Sequence, residues 1–265
     1  MSRRPIWVIS GWTLLALLGL LLAAGVALIY AGTLPGRPAP RPGDRVLVDP
    51  GHGGIDSGCH WDQLFEKDLT LRMAVLVKNR LEEAGVPAFL TRSSDRDLDP
   101  LEPSIRGRHQ RDLQARAELA RQVRPVAMVS LHVNAGTGER LSGAMVFYQA
   151  QSPESRRLAA LILEELRNVV PGNQNGILSA DFYLLRSVPH PTVLVEAGFL
   201  TTARDRATLT SPDGQERIAE AVATGILAYL RGQAAPIPSD RPSLAPALGG
   251  FGRDRLEPDT DGCGS

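Results

Sequence analysis

Short β-branched runs alternating with amphipathic helical patterns constrain the fold of this chain more than any other feature. The runs are Arg45–Asp49 (RVLVD), Val86–Thr91 (VPAFLT), Ala127–Val133 (AMVSLHV), Gly143–Tyr148 (GAMVFY) and Thr192–Glu196 (TVLVE), with Phe182–Arg186 (FYLLR) as a further strand candidate. Helical periodicity covers Lys67–Ala84, which stops at Gly85, then Asp112–Val123, Pro153–Val169 and Asp213–Arg231. Near-continuous apolar strands are those buried on both faces, and interleaved helices supply the two covering layers. The expected fold is therefore α/β: a single three-layer domain with a central, mostly parallel or mixed sheet of about six strands flanked by helices.

The flanks of this domain differ from it in composition. Residues 1–32 contain an uninterrupted apolar run, Ile6 to Ala31, preceded by Arg3 and Arg4. About 20 residues cross the hydrocarbon core, whereas a signal peptide's apolar region covers only about 7–15. The run is expected to be a single transmembrane anchor, with Trp7, Trp12 and Tyr30 at its interfacial ends. Positive charge before the span favours an N-in orientation, with the rest of the chain outside the cytoplasm. Residues 33–43 are Pro-rich and read as a stiff spacer, and residues 44–232 as the folded domain. The stretch 233–265 repeats Pro, Gly and Asp without an apolar period and reads as a disordered tail.

Charge composition removes one class of partner. Lys plus Arg and Asp plus Glu number 29 each in the 265 residues, so no basic field suited to nucleic acid is expected. Two cysteines, Cys59 and Cys263, exclude a disulfide framework.

Chemistry gathers where strands end, the usual place for sites in such sheets. The first strand runs into Asp49-Pro50-Gly51-His52-Gly53-Gly54, a tight turn that aims His52 outward. The third ends Ser130-Leu131-His132-Val133-Asn134, and the last Val195-Glu196-Ala197-Gly198. Glu66, opening a helical pattern, is a fourth candidate, although a carboxylate there is also explained by the helix N-terminus alone. Two His and one Glu form a known zinc set that leaves a position open for water. His52, Glu66 and His132 would then be metal ligands and Glu196 the proton-transferring carboxylate.

Val48-Asp49-Pro50-Gly51-His52-Gly53-Gly54, Glu66-Lys67-Asp68, Ser130-Leu131-His132-Val133-Asn134-Ala135 and Val195-Glu196-Ala197-Gly198-Phe199-Leu200 resemble, in order, the signature blocks of the zinc-dependent N-acetylmuramoyl-L-alanine amidases. The resemblance implies a six-stranded α/β fold and one Zn2+ ion on His52, Glu66 and His132. It further implies catalysis by Glu196 and hydrolysis of the amide between the muramic acid lactyl group and L-alanine in peptidoglycan. Asn134 matches a family position near the metal and is a candidate substrate contact. Thr91-Arg92 with Asp95, and Arg111-Asp112-Leu113 leading to Arg116, are similar to the spore-associated, germination-linked branch. That branch suggests a role in cortex maturation, on the cell-wall or spore-cortex side of the membrane.

Peptidoglycan and, through the anchor, the membrane are the expected partners; the sequence identifies no activating protein. Arg121 stands where many family members carry Asn, and Cys59 is expected to be a packing residue rather than a ligand. His60, His109 and His190 are expected to have no catalytic role. Two other readings start from the same residues: a silent wall-binding domain, and a zinc exopeptidase or deacetylase. The first is disfavoured by the intact set of four residues. The second is disfavoured because Asp56 and Asp62 show no bridging arrangement for a second metal.

Overall fold

The structure, a computed structural model, describes residues 44–99, 107–136 and 141–236. The expected anchor (1–32) and spacer (33–43) lie outside these residues, as does the tail beyond position 236. Among the described residues no helix is long and apolar enough to cross a membrane.

The sheet has six strands: β1 (Val46–Pro50), β4 (Ala88–Leu90), β5 (Ala127–Asn134), β6 (Met145–Tyr148), β7 (Gly176–Ser179) and β8 (Thr192–Phe199). A two-stranded hairpin, β2 (His60–Trp61) and β3 (Leu64–Phe65), lies apart from it. The helices are α1 (Glu66–Glu83), α2 (Arg108–Val123), α3 (Pro153–Leu166), α4 (Tyr183–Ser187), α5 (Ala203–Thr210) and α6 (Pro212–Leu230). Strand order is β4-β1-β5-β8-β6-β7. The first four run parallel, β6 pairs antiparallel with β8, and β7 follows β6 in parallel. The sheet is mixed, with its change of direction at the β8–β6 boundary.

The two-residue period of the strands divides the core between two faces. Val46 and Val48 of β1, Val129 and Leu131 of β5 and Val193 and Val195 of β8 pack in one cluster with apolar residues of α1, α3 and α6. Leu47 and Met128 face the other way, against Leu113, Ala117 and Ala120 of α2 and Leu184 of α4. Met145, Leu194, Leu185 and Phe199 extend that second face. On it, at the carboxyl ends of β1, β5 and β8, apolar residues give way to polar ones.

The expected strand Phe182–Arg186 is instead helical: Tyr183–Ser187 forms α4, with Leu184 and Leu185 buried. Four apolar residues followed by an arginine have no period long enough to separate strand from helix, and packing against the sheet face decides. The sixth strand is β7, Gly176–Ser179, which follows a turn-forming stretch and is held by pairing with β6. His109 lies in the first turn of α2, which begins at Arg108.

Candidate metal centre

His52 follows β1 in a turn whose backbone leaves the common regions, with φ of 60°. A non-glycine residue there costs about 1–3 kcal/mol, and such strain persists where surrounding contacts enforce it. Gly51 before it has no room for a side chain: a Cβ would lie 2.4 Å from Cε1 of His132. Gly58, at φ +64°, sits as close to the other two residues, a Cβ there falling 2.5 Å from Glu66 Oε2 and 2.7 Å from His52 Cδ2.

Glu66 is the first residue of α1, whose opening N–H groups are taken by the preceding hairpin segment. Glu66 N donates to Cys59 O (2.9 Å) and Lys67 N to Ser57 O (3.1 Å). Its carboxylate accepts from Cys59 N through Oε2 (2.9 Å) and from Val133 N through Oε1 (2.9 Å). One residue before Val133, His132 projects from the opposite face of β5, in register with Glu196 of β8. Glu196 is in turn paired with Met145 of β6.

These elements bring His52, Glu66 and His132 together, with one ligand atom from each within 4.8 Å of the others. Glu66 Oε1 lies 3.2 Å from His52 Nε2 and 3.0 Å from His132 Nδ1. The rings meet edge-on, with centroids 4.9 Å apart. All three residues are buried, as are Asn134 and Glu196. Asn134 lies two positions beyond His132, its Nδ2 3.9 Å from Met145 Sδ.

The electrostatics describe a site that demands positive charge. Burial opposes ionisation of Glu66, yet His52 and His132 beside it hold its carboxyl far below the usual range. Burial likewise opposes charge on His52, but the Glu66 and Asp56 carboxylates raise its pKa well above the ordinary imidazole value. His132 is raised too: burial opposes, while Glu66 contributes most of the upward pull and Glu196 adds to it.

Asp56 was legible in the sequence only as an acid near the first histidine. Its Oδ2 lies 3.0 Å from His52 Nδ1. Burial works against its charge, but hydrogen bonds from His109 and His52 keep its carboxyl strongly acidic. It is therefore the acceptor from His52 Nδ1, and Nε2 is the ring nitrogen left facing Glu66. That Nε2 is buried without a hydrogen bond. An imidazole held at one nitrogen by a carboxylate, with its other nitrogen turned towards further donors, is the usual arrangement of a metal-ligating histidine, so this donor set fits a zinc ion.

The other candidates separate. Cys59 donates from Sγ to Val133 O (3.2 Å) and packs on the main apolar cluster, as expected of a packing residue. His60 is exposed on β2, 6.2 Å from the Phe65 ring, and His190 is half-buried in the segment leading to β8, away from the three ligand candidates. His109 is nearer the centre, its Nδ1 3.6 Å from Asp56 Oδ2. Behind the histidines, Arg92, Arg116, Asp49 and Asp112 form a buried polar group that composition and periodicity did not reveal. Their sequence signals were resemblances alone: Asp49 in the first signature block, and Arg92, Asp112 and Arg116 in the match to one branch of the family.

Comparison with known proteins places the chain in a family. A family profile described as N-acetylmuramoyl-L-alanine amidase matches residues 46–228. The germination-specific N-acetylmuramoyl-L-alanine amidase of Bacillus subtilis (strain 168) is 34% identical over 194 residues, covering 72% of this chain and 81% of that protein. Among solved structures, the CwlD amidase of Clostridioides difficile, in complex with the GerS lipoprotein, is 33% identical with a TM-score of 0.68. The match covers 72% of this chain and 100% of that one. The amidase AmiC2 of Nostoc punctiforme is 34% identical with a TM-score of 0.61, over 71% of this chain and 98% of that one. On the profile match, the fold and the identity to these relatives, the chain belongs to the N-acetylmuramoyl-L-alanine amidase family.

Proposed function

We propose that this amidase is zinc-dependent, with His52, Glu66 and His132 as the ligands and Glu196 as the catalytic carboxylate. The observation that carries the proposal is the buried His52 Nε2, which has no hydrogen bond and faces a carboxylate at 3.2 Å while Asp56 occupies the opposite ring nitrogen. When bound, zinc supplies a Lewis acid that polarises the amide carbonyl and makes water a nucleophile at neutral pH.

The protein's own groups do the rest. Asp56 holds His52 in one tautomer and orientation. The Val133 and Cys59 amides orient the Glu66 carboxylate, so neither oxygen must be reorganised when a cation enters. Glu196, beside His132 in register, takes a proton from the attacking water and passes it to the L-alanine nitrogen as the amide breaks. Asn134, on the same face, is assigned to the substrate. The four residues gather at the carboxyl ends of the neighbouring strands β1, β5 and β8 and at the start of α1.

The apolar run at 1–32 is proposed to anchor the enzyme with its catalytic domain outside the cytoplasm. This placement suits a peptidoglycan substrate, and the germination-specific relative points to spore cortex as the wall acted on. Removal of stem peptides there would precede muramic lactam formation. The lipoprotein bound to the clostridial relative supports an extracytoplasmic protein partner for this chain as well.

The test is digestion of purified peptidoglycan by chelator-treated protein, with and without added zinc, followed by identification of the new ends. Zinc-restored release of free lactyl carboxylates on muramic acid, with free L-alanine amino groups, is the expected result. Full activity in chelator removes the zinc assignment, and cleavage only within the peptide removes the proposed reaction.

A further inference from the structure

Three consecutive carbonyl groups in the His52 turn, those of Pro50, Gly51 and His52, point inward, and each meets a buried guanidinium. Arg92 donates from Nε to Pro50 O (3.1 Å) and from Nη2 to Gly51 O (2.9 Å). Its Nη2 also reaches Lys67 O (2.8 Å), tying the turn to the residue after Glu66. Arg116 donates from Nη1 to Pro50 O (2.8 Å) and from Nη2 to His52 O (2.7 Å). Both arginines are 1% exposed and rank among the largest fully buried side chains.

Arg116 is itself held on two further sides. Nη1 contacts Asp49 Oδ1 and Nε contacts Asp112 Oδ2, each at 2.6 Å. Asp49 also accepts from Ser130 Oγ (2.6 Å) and Thr91 Oγ1 (2.5 Å). Burial opposes charge on Arg116, but Asp49 and Asp112 more than offset it and the guanidinium stays ionised. Buried ion pairs of this kind are poor stabilisers compared with hydrocarbon of the same volume. Their use here is therefore read from what they grip. Every hydrogen bond to the turn falls on the backbone that carries His52, in the one ligand residue with a left-handed φ.

We propose that Arg116 and Arg92 are positioning residues that lock the His52 turn in its ligating conformation before any metal binds, so that guanidiniums rather than the ion assemble the site. The inference rests on the zinc reading above. It assigns no contact with substrate to either arginine. The planar fork of Arg116 serves Asp49, Asp112 and the His52 carbonyl at once, and a lysine ammonium at the end of a flexible stem cannot.

The test uses the full chain carrying Arg116→Lys, which keeps the positive charge between Asp49 and Asp112 but loses the fork. Zinc affinity is read by competition with a chromophoric chelator, and cobalt is substituted to record the visible spectrum of the site. Zinc affinity is expected to fall about 10–100-fold, as for loss of other groups that orient ligands. The cobalt bands should shift, and kcat should fall with KM little changed. A purely structural role would lower the melting temperature and leave zinc affinity and the cobalt spectrum alone; that result overturns the proposal.

A measurement on the unsubstituted chain guards against a variant that does not fold. In chelator-treated protein, the ring nitrogen resonances of His52 and His132 should be narrow and single. Broad or multiple signals that sharpen only with zinc overturn preassembly. His132→Ala serves as the control for the underlying reading: wild-type zinc affinity in that variant removes the ligand assignment itself, whatever the arginine result.

Discussion

Replacing Gly51 by alanine tests the packing of the centre without altering a single polar atom. An added Cβ would lie 2.4 Å from Cε1, 2.5 Å from Nε2 and 2.7 Å from Nδ1 of His132. Carbon atoms in ordinary contact are about 3.5–4.0 Å apart, so the imidazole must retreat by about 1 Å. Gly51 is not among the glycines with positive φ, so alanine meets no backbone penalty there and the fold should survive. A displacement of that size at a reacting centre costs on the order of 10²-fold in rate. Glu66 Oε1, now 3.0 Å from His132 Nδ1, would part from the ring at the same time, so metal affinity should fall with turnover. Three readings are needed: release of muropeptide ends, zinc content by elemental analysis, and the thermal transition. Gly85→Ala is the control, because that glycine has φ of +79° but nothing within 4 Å of a Cβ. It should lower stability by about 1–3 kcal/mol through its backbone alone and leave turnover unchanged. A Gly51→Ala protein with full zinc and undiminished turnover would refute the proposed close assembly of the turn against His132.

Other perturbations separate the roles. Glu196→Gln should retain zinc and the wild-type melting temperature while turnover falls about 10²-fold or more, the usual scale for an acid–base group; undiminished turnover removes Glu196 from the mechanism. Asp56→Ala deletes the acceptor on His52 Nδ1 and should weaken zinc binding about 10–100-fold in a chelator competition; unchanged affinity would show that the contact at 3.0 Å does not orient the ligand. Burial raises the Asp49 pKa, but Arg116, Ser130 and Thr91 more than reverse this, so the folded value is depressed. A depressed carboxyl contributes stability that is complete above its unfolded pKa of about 3.9 and is lost as pH falls through the lower folded value. Denaturant titrations across that acid range should therefore show a shallower loss of stability in Asp49→Asn than in the wild type, and equal slopes would contradict the burial of a charged Asp49.

The layered fold was legible because its strands are apolar on both faces. Thr192–Glu196 and Ala127–Val133 could be placed from composition alone, and both extend slightly further in the structure, to Phe199 and Asn134. Strand β7 was hidden because Gly176–Ser179 is four residues long and draws its order from β6 rather than from any internal pattern. The hairpin β2–β3 was missed for the same reason, with two residues per strand. At the centre, His52, His132 and Glu196 stood out as polar residues on otherwise apolar strands or their ends. Glu66 did not, since an acid in the first turn of a helix has an electrostatic explanation of its own. Its placement depends on hydrogen bonds from Cys59 and Val133, and no one-dimensional pattern encodes a contact between residues 66 and 133. The arginine pair was the least legible feature, because long basic side chains are normally solvated and their burial depends on partners drawn from β1, the turn after it, α1 and α2.

The reversal of strand direction between β8 and β6 has a consequence for how this scaffold diversifies. Because Met145 at the start of β6 sits beside Glu196 near the end of β8, the connection entering β6 arrives at the rim of the reaction centre. Surface connections tolerate changes of length far better than the strands they join. A longer segment spliced between β5 and β6 could therefore roof the site or offer a docking handle while the candidate ligands, held by the turn after β1, the start of α1 and the body of β5, stay where they are. Access to the wall polymer and the chemistry performed on it can in this way be selected separately.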